Sequence, residues 1–443
     1  MTLALTALGL LGLLAALMAL GAPVAVALGL SALATVALVS WSDTTGLVNV
    51  LFSVPLRPTL LAVPLFITVG MVLSESSLIR RLIDLADRLV GGFPGGLGLV
   101  TIVTGLFFAG ISGSGPADVA ALGAILIPAL VASGYPRPRA AALLAASGGL
   151  GIVVPPSIAL ILYAHVAQTG VQSWALAHPG APAPSVGIGE LFLAGLLPGL
   201  LLGVALCGYL WFAARRQGLR RARPRAREVS TAMLWWRAFP GLLVPVLILG
   251  SIYGGVFTAT QAAAVATLYA LALEVLFYRE MRWRALGTAL ARAGTTTAQV
   301  MFLVGCASMF SHALVLLGLD APAVNALASL PASKVVFLIA ANAVVLLLGC
   351  VIDAISILFI VVPILLPVAL TLGIDPVHLG IILTVNLAIG QITPPVGVNL
   401  FVAASVAQEK LGPIFRAVWP FVLVELAVLA LVCAFPALCL VSD

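Results

Sequence analysis

The chain has 443 residues, 62% of them hydrophobic and only 8% charged, with a mean hydropathy of +1.23 and a formal net charge of +6. Soluble domains carry roughly 25% charged residues, so the composition excludes a soluble fold and predicts one polytopic, all-α membrane domain over residues 1–443. The arginines form short clusters between apolar runs, which argues against a nucleic-acid surface, and the five cysteines lack Cys-x-x-Cys spacing, which suggests neither a metal site nor a disulfide framework.

Residues 3–40 are about twice as long as the roughly 20 residues one span requires. Gly21-Ala22-Pro23 divides them into helices at 3–20 and 22–40. With no basic residues ahead of it, the first is read as a membrane helix and not as a cleaved signal. A polar segment with Trp41–Thr45 and Arg57 leads to a span at 59–76. Residues 78–90 place Leu78, Leu82, Leu85 and Leu89 on one face and the charges elsewhere, as in an interfacial helix. Gly91–Gly98 has no Gly-Lys-Ser/Thr ending and no preceding strand, so it reads as a turn and not a phosphate loop.

Gly110–Ala164 contains three breaks: a Gly/Ser run at 110–115, the turn Pro136-Arg137-Pro138, and Pro155-Pro156. Backbone groups freed by such breaks are tolerated in a membrane only where protein buries them or they line a watery cavity. The stretch therefore predicts a binding site built from a hairpin over 97–132 and a broken helix over 139–169. A loop at Thr169–Glu190 without lysine or arginine follows, then a span at 191–213 and a cytoplasmic basic loop at 214–237 that includes Arg215–Arg227. Spans at 238–257 and 261–278, a second basic segment at 278–292, a span near 295–316 and a last helix at 417–440 complete the hydropathy pattern.

The broken stretch recurs at Gly349–Ala403. Gly110/Gly349, Pro128/Pro367, Gly134/Gly373, Gly151/Gly390, Pro155/Pro394 and Pro156/Pro395 all lie 239 positions apart. Glycine and proline dictate backbone shape, so a second hairpin is expected over 336–371 and a second broken helix over 377–408. Repeat 1 covers about 3–213 and repeat 2 about 238–440. A hairpin returns to its own side, so each half crosses five times, and the odd number inverts the second half relative to the first. The positive-inside rule then puts the basic segments in the cytoplasm and both termini, with the Thr169–Glu190 loop, outside.

A helix that stops inside the membrane presents free N–H groups at one end and free carbonyls at the other. Around the breaks, Ser112, Gly113, Ser114, Ser147, Asp353, Asn386 and Thr393 are candidate ligands for a hard monovalent cation. Pro155, Pro156, Ser157, Pro394, Pro395, Gly397 and Asn399 would border an oxygen-rich substrate. The repeat pairs Ser114 with Asp353 and Ser147 with Asn386. Asp353 reads either as a functional intramembrane carboxylate or as a hairpin cap, and Asp118 likewise as cap or ligand. Serine hydroxyls also back-bond to helix carbonyls, and His165, His312 and His378 read as structural histidines at helix ends or a turn. With no lysine or arginine at either break, a substrate carboxylate would depend on helix N-termini and hydroxyls.

Gly110-Ile111-Ser112-Gly113 resembles the Gly-x-Ser-Gly of rhomboid intramembrane proteases, with His165 as the base. The matching Gly349–Asp353 holds no serine, and a protease leaves the duplication unexplained. No nucleotide motif points to an ATPase.

Six stretches carry a family resemblance: VPLFITVG (63–70), GISGSGPADVAALG (110–123), GIVVPPSIALILY (151–163), GELFLAGLLPG (189–199), GGVFTATQAAAVA (254–266) and GIDPVHLGIILTVNLAIGQITPPVGVNLFVA (373–403). Through them the chain resembles the large membrane subunit of tripartite ATP-independent periplasmic transporters. The resemblance implies a sodium-coupled, elevator-type importer of organic acids in the bacterial inner membrane, with sodium as coupling ion and no resident cofactor. It also implies a small four-helix membrane subunit and a periplasmic substrate-binding protein as partners. A stand-alone sodium/divalent-anion symporter of related architecture is the alternative. The chain has Thr258-Ala259-Thr260-Gln261 where the family usually shows Thr-Pro-Thr-Glu, and Phe310-Ser311-His312 in place of Phe-Gly-Trp. The first departure bears on local helix geometry more than on the transport site.

Overall fold

The computed structural model describes residues 3–177, 184–216, 229–319 and 333–439, and every regular element among them is helical. Seven helices are long and apolar enough to cross a bilayer, or nine if each of two bent pairs counts as one span. Length alone does not separate hairpin arms from spans. The arms Gly115–Ala132 and Ala354–Thr371 pass the test, whereas Leu3–Ala19 and Val24–Val39 fall just short of it.

Both hairpins and both broken helices form. The first hairpin joins Gly96–Ser112 to Gly115–Ala132, and the second joins Lys334–Gly349 to Ala354–Thr371. The helix Arg137–Val153 turns by 42° into the next helix after Pro155-Pro156, and Pro376–Gly390 is likewise followed by Val398–Ala407. Equivalent elements make equivalent contacts: Gly115–Ala132 packs on Val398–Ala407, Ala354–Thr371 packs on Ile158–Ala177, and Arg137–Val153 meets Pro376–Gly390. The duplication seen in glycine and proline positions is thus a duplication of packing.

Several boundaries differ from the hydropathy reading. Thr44–Ser53 is a helix, not a polar connection: Leu47 is buried, the helix packs on Trp283–Leu316, and ten residues are too few for a span-length window to detect. Most of the basic segment at 278–292 is helical, because the helix from Trp283 to Leu316 runs through it. The 239-residue offset explains why: Thr44–Ser53 and Ala62–Ser74 are separate in the first half, and their counterparts fuse into this one helix in the second. Ile158–Ala177 extends into the expected loop at Thr169–Glu190, of which residues 178–183 lie outside the described residues. The last long helix is Leu411–Ala434, earlier than 417–440. His165 and His312 lie within helices and not at their ends.

Residues 78–90 form the expected helix, with Leu78, Leu82 and Leu85 buried against neighbouring helices and Leu89 at the rim, 41% exposed. Within the basic loop, Arg215 and Arg216 end the helix Ile188–Arg216 and lie over the rings of Trp211 and Phe212. Residues 217–228, the rest of that cluster, lie outside the described residues. At the family departure, Gln261 still accepts from the Thr258 N–H at 2.9 Å while its own N–H donates to Thr258 Oγ1 at 3.3 Å. This capping box preserves the helix start without proline or charge.

Candidate functional site

Each hairpin tip is tied to the break of its own repeat. At the first tip, Gly113 takes φ +63° and Ser114 is extended, and the chain re-enters a helix at Gly115. A Cβ at position 113 would stand 2.7 Å from the Pro156 carbonyl oxygen, so glycine is required by backbone conformation and by space. The Ile158 N–H donates to the Gly113 carbonyl at 3.4 Å, and the Ser157 hydroxyl donates to the Ile152 carbonyl across the break. At the second tip, the N–H groups of Val396 and Gly397 both donate to the Cys350 carbonyl at 3.2 Å. Gly349 and Gly390 let the two backbones touch: a Cβ on Gly349 would lie 3.1 Å from the Gly390 Cα.

The two tips meet at a cavity of about 190 Å³. Its wall includes Ser112–Ala117 from one tip, Asp353–Ile355 from the other, Ile152 and Ile158 around the first break, and Gln391 and Val398 around the second. Four helices begin at this wall, at Gly115, Ile158, Ala354 and Val398. Each helix N-terminus carries about half a positive charge in free N–H groups. Among the described residues no lysine or arginine lines the cavity, and Asp353 is the one ionisable residue in its wall. A second cavity of about 620 Å³ shares Met71, Ser74 and Ala117 with the first and reaches Arg80, Glu280 and Arg292.

Asp353 is half-buried and caps its helix, accepting from the Ser356 N–H at 3.0 Å and the Ser356 hydroxyl at 2.7 Å. Its counterpart Ser114 holds the same position with no side-chain cap bond. Ser112 is buried, its hydroxyl donating to Asp118 and accepting from the Ser114 N–H at 3.2 Å. Ser112, Gly113, Ser114 and Asp353 line the cavity, whereas Ser147, Asn386, Thr393, Ser157 and the four prolines are not part of its wall.

Ser147 and Asn386 do equivalent work in the two repeats. The Ser147 hydroxyl donates to the Thr101 carbonyl at 3.0 Å, and the Asn386 amide donates to the Asn342 carbonyl at 3.0 Å and to Asn342 Oδ1 at 2.7 Å. Each fastens a broken helix to the first arm of its hairpin. Thr393 donates back to the Ile389 carbonyl at 2.7 Å.

Behind the first tip lies a group that cuts across the repeats. A Cβ at Gly115 would come within 2.8 Å of Gln391 Oε1 and 3.1 Å of both Asn399 Nδ2 and the Gly148 carbonyl. Asn399 donates to the Ala145 carbonyl at 3.3 Å. Asp118 Oδ2, Gln391 Oε1 and Asn399 Oδ1 are buried acceptors with no donor among the described residues. Asp118 itself is fully buried, and its free oxygen faces the Gly151 backbone. Asp118 therefore lies one helical turn beyond Gly115 as a buried side chain and not as an exposed cap. Gln391 was not foreseen: its repeat counterpart is Ile152, so a comparison of shared residues passes over it.

Ser112 and His165 do not form a catalytic pair, since the Ser112 hydroxyl is committed to Asp118 and His165 packs on Phe359, ring centroids 6.5 Å apart. His378 bonds the Val432 carbonyl through Nε2 at 2.9 Å, as a structural histidine does.

A family model described as the DctM component of the tripartite ATP-independent periplasmic transporter matches residues 11–438. The isethionate TRAP transporter permease protein DctMQ of Oleidesulfovibrio alaskensis is 38% identical over 94% of this chain, which spans 63% of that relative's length. The C4-dicarboxylate TRAP transporter large permease protein DctM of Pseudomonas aeruginosa is 39% identical over 93% of this chain and 92% of its own. In fold, the chain is similar to the crystal structure of the Alcanivorax borkumensis YdaH transporter, described as having an unusual topology. The TM-score is 0.64 at 16% identity, over 90% of this chain and 88% of that one. These relatives are transport permeases and not enzymes, and with them this chain belongs to the DctM family of tripartite ATP-independent periplasmic transporters.

Proposed function

We propose that the chain is the large membrane subunit of a sodium-coupled secondary importer of an organic acid in the bacterial inner membrane. The observation that carries this is the convergence of four helix N-termini, at Gly115, Ile158, Ala354 and Val398, on one cavity with no lysine or arginine in its wall. Backbone N–H groups and the helix dipoles suit a carboxylate there, with the Ser114 hydroxyl as a partner. Relatives named for C4-dicarboxylate, sialic acid and isethionate transport support an organic anion as the class of solute.

Sodium is the coupling ion in this reading, and Asp118 Oδ2, Gln391 Oε1 and Asn399 Oδ1 are oxygens that suit it: hard, buried, and without donors among the described residues. They join the first hairpin tip to the second break, so a cation bound between them would draw the halves of the anion site together. Binding of the ion and the acid is then mutually reinforcing. Asp353 contributes by holding the second tip in helical register. The hairpins are re-entrant, the basic segments and the 620 Å³ cavity face the cytoplasm, and the paired hairpins and broken helices move as a unit past the other helices, as in an elevator.

A periplasmic binding protein delivers the solute, and a small four-helix subunit completes the membrane part. The family assignment and the extra length of the DctMQ relative support these partners. The test is uptake into proteoliposomes containing this chain, the small subunit and the binding protein. Accumulation should require an inward sodium gradient and the binding protein, and uptake that ignores either one refutes that part of the proposal.

A further inference from the structure

On the basic side of the molecule, a cavity of about 430 Å³ lies between the helix Leu78–Val90 and the first turns of the helix Thr231–Tyr253. It shares no residue with the anion cavity but shares Ser77, Arg80 and Glu280 with the 620 Å³ cavity, and it is lined further by Arg81, Asp84, Leu234 and Arg237. Arg81 is fixed on several sides. It donates to Glu280 at 2.7 Å and to the Ser77 hydroxyl at 3.2 Å, and its guanidinium sits 4.1 Å from the centre of the Tyr278 ring. Arg88 donates to the Thr231 hydroxyl at 2.9 Å and ties the two helices together.

Within this braced frame, Arg80 and Arg237 form no ion pair with the described residues, although both face the cavity. Asp84 and Glu280 also line it, which leaves a net charge of +1 from three arginines and two acids. Beside Arg237, Trp236 is 69% exposed, and Trp235 and Phe239 are exposed on the same opening turns. Exposed tryptophans at the start of a span mark the level of lipid headgroups, and unpaired arginines at that level attract acidic lipids.

We infer that this cavity binds the phosphodiester headgroup of an acidic phospholipid, with Arg80 and Arg237 on the phosphate oxygens and Trp235 and Trp236 against the upper acyl chains. The aromatic flank distinguishes a lipid from a free phosphate, which would gain nothing from it. Such a lipid would clamp the helix Leu78–Val90 to the Thr231–Tyr253 span.

The test uses the full chain in nanodiscs of phosphatidylcholine doped with phosphatidylglycerol whose acyl chains are brominated, with tryptophan fluorescence as the readout. Brominated phosphatidylglycerol should quench at a much lower mole fraction than brominated phosphatidylcholine. The variant R80Q/R237Q should lose about 30-fold of that preference. R284Q, which removes an arginine outside the cavity, should keep it. Both altered arginines are exposed and form no ion pair among the described residues, so the double variant should keep the wild-type thermal midpoint in phosphatidylcholine alone, which separates lost binding from lost fold. Equal quenching by the two lipids, or a preference that survives in R80Q/R237Q, overturns the assignment. Inorganic phosphate should not displace the brominated lipid, and displacement at millimolar concentration would mark a soluble-anion site instead.

Discussion

Asp118→Asn is the sharpest probe of the proposed ion site. Asp118 is fully buried, one oxygen takes the Ser112 hydroxyl, and the other faces the Gly151 backbone with no donor. Asparagine keeps the shape and the Ser112 bond but removes the charge. A buried carboxylate without a compensating charge costs several kcal/mol, so without sodium the variant should be more stable than wild type. With sodium at about 100 times its dissociation constant, binding should stabilise wild type by roughly 2.7 kcal/mol, and the variant should show little of that gain. Thermal unfolding in sodium chloride and in choline chloride measures both effects, and the prediction is a crossing: the variant more stable in choline, wild type recovering in sodium. A variant that keeps the full sodium shift, or that is weaker than wild type in choline, refutes a cation-binding role for Asp118.

Gly113→Ala should cost about 1–2 kcal/mol for the left-handed backbone alone. It should also break the contact with the Pro156 carbonyl, lowering uptake while helical circular dichroism is unchanged. Asp353→Ala should lose a cap worth about 1 kcal/mol. Asp353→Asn should recover that stability, and if it also recovers the sodium half-saturation for uptake, Asp353 acts as a cap and not as a ligand. Asn386→Ala should destabilise by about 1–3 kcal/mol, because the Asn342 groups lose their partner, and Ser147→Ala should cost less, both read by thermal melts. Arg81→Gln breaks a pair whose Glu280 partner is 54% exposed. With the Ser77 bond and the contact over the Tyr278 ring lost as well, it should cost about 1–2 kcal/mol, of which only the ion-pair share should shrink at high salt.

The hairpins were legible in the sequence to within a residue or two, expected at 97–132 and 336–371 and found at 96–132 and 334–371. Glycine and proline act on the backbone locally, so their spacing reveals a shared shape without knowledge of the partners. The helix Thr44–Ser53 was not legible, because its burial comes from the helix Trp283–Leu316, more than 200 positions away, and not from its own length. Ser147 and Asn386 pair by the repeat offset, but only the packing shows that each fastens its broken helix to the first arm of the adjoining hairpin.

What the sequence by itself determined is the membrane class, the duplication and the breaks, since hydropathy, glycine and proline each act within a few residues. The tertiary structure alone decided which side chains share a site. Gln391 and Asn399 from the second repeat reach Gly115 and the Ala145 carbonyl in the first, and that meeting depends on how two similar halves pack face to face. A repeat offset pairs each residue with its double, whereas the site pairs each residue with an unlike neighbour across the interface.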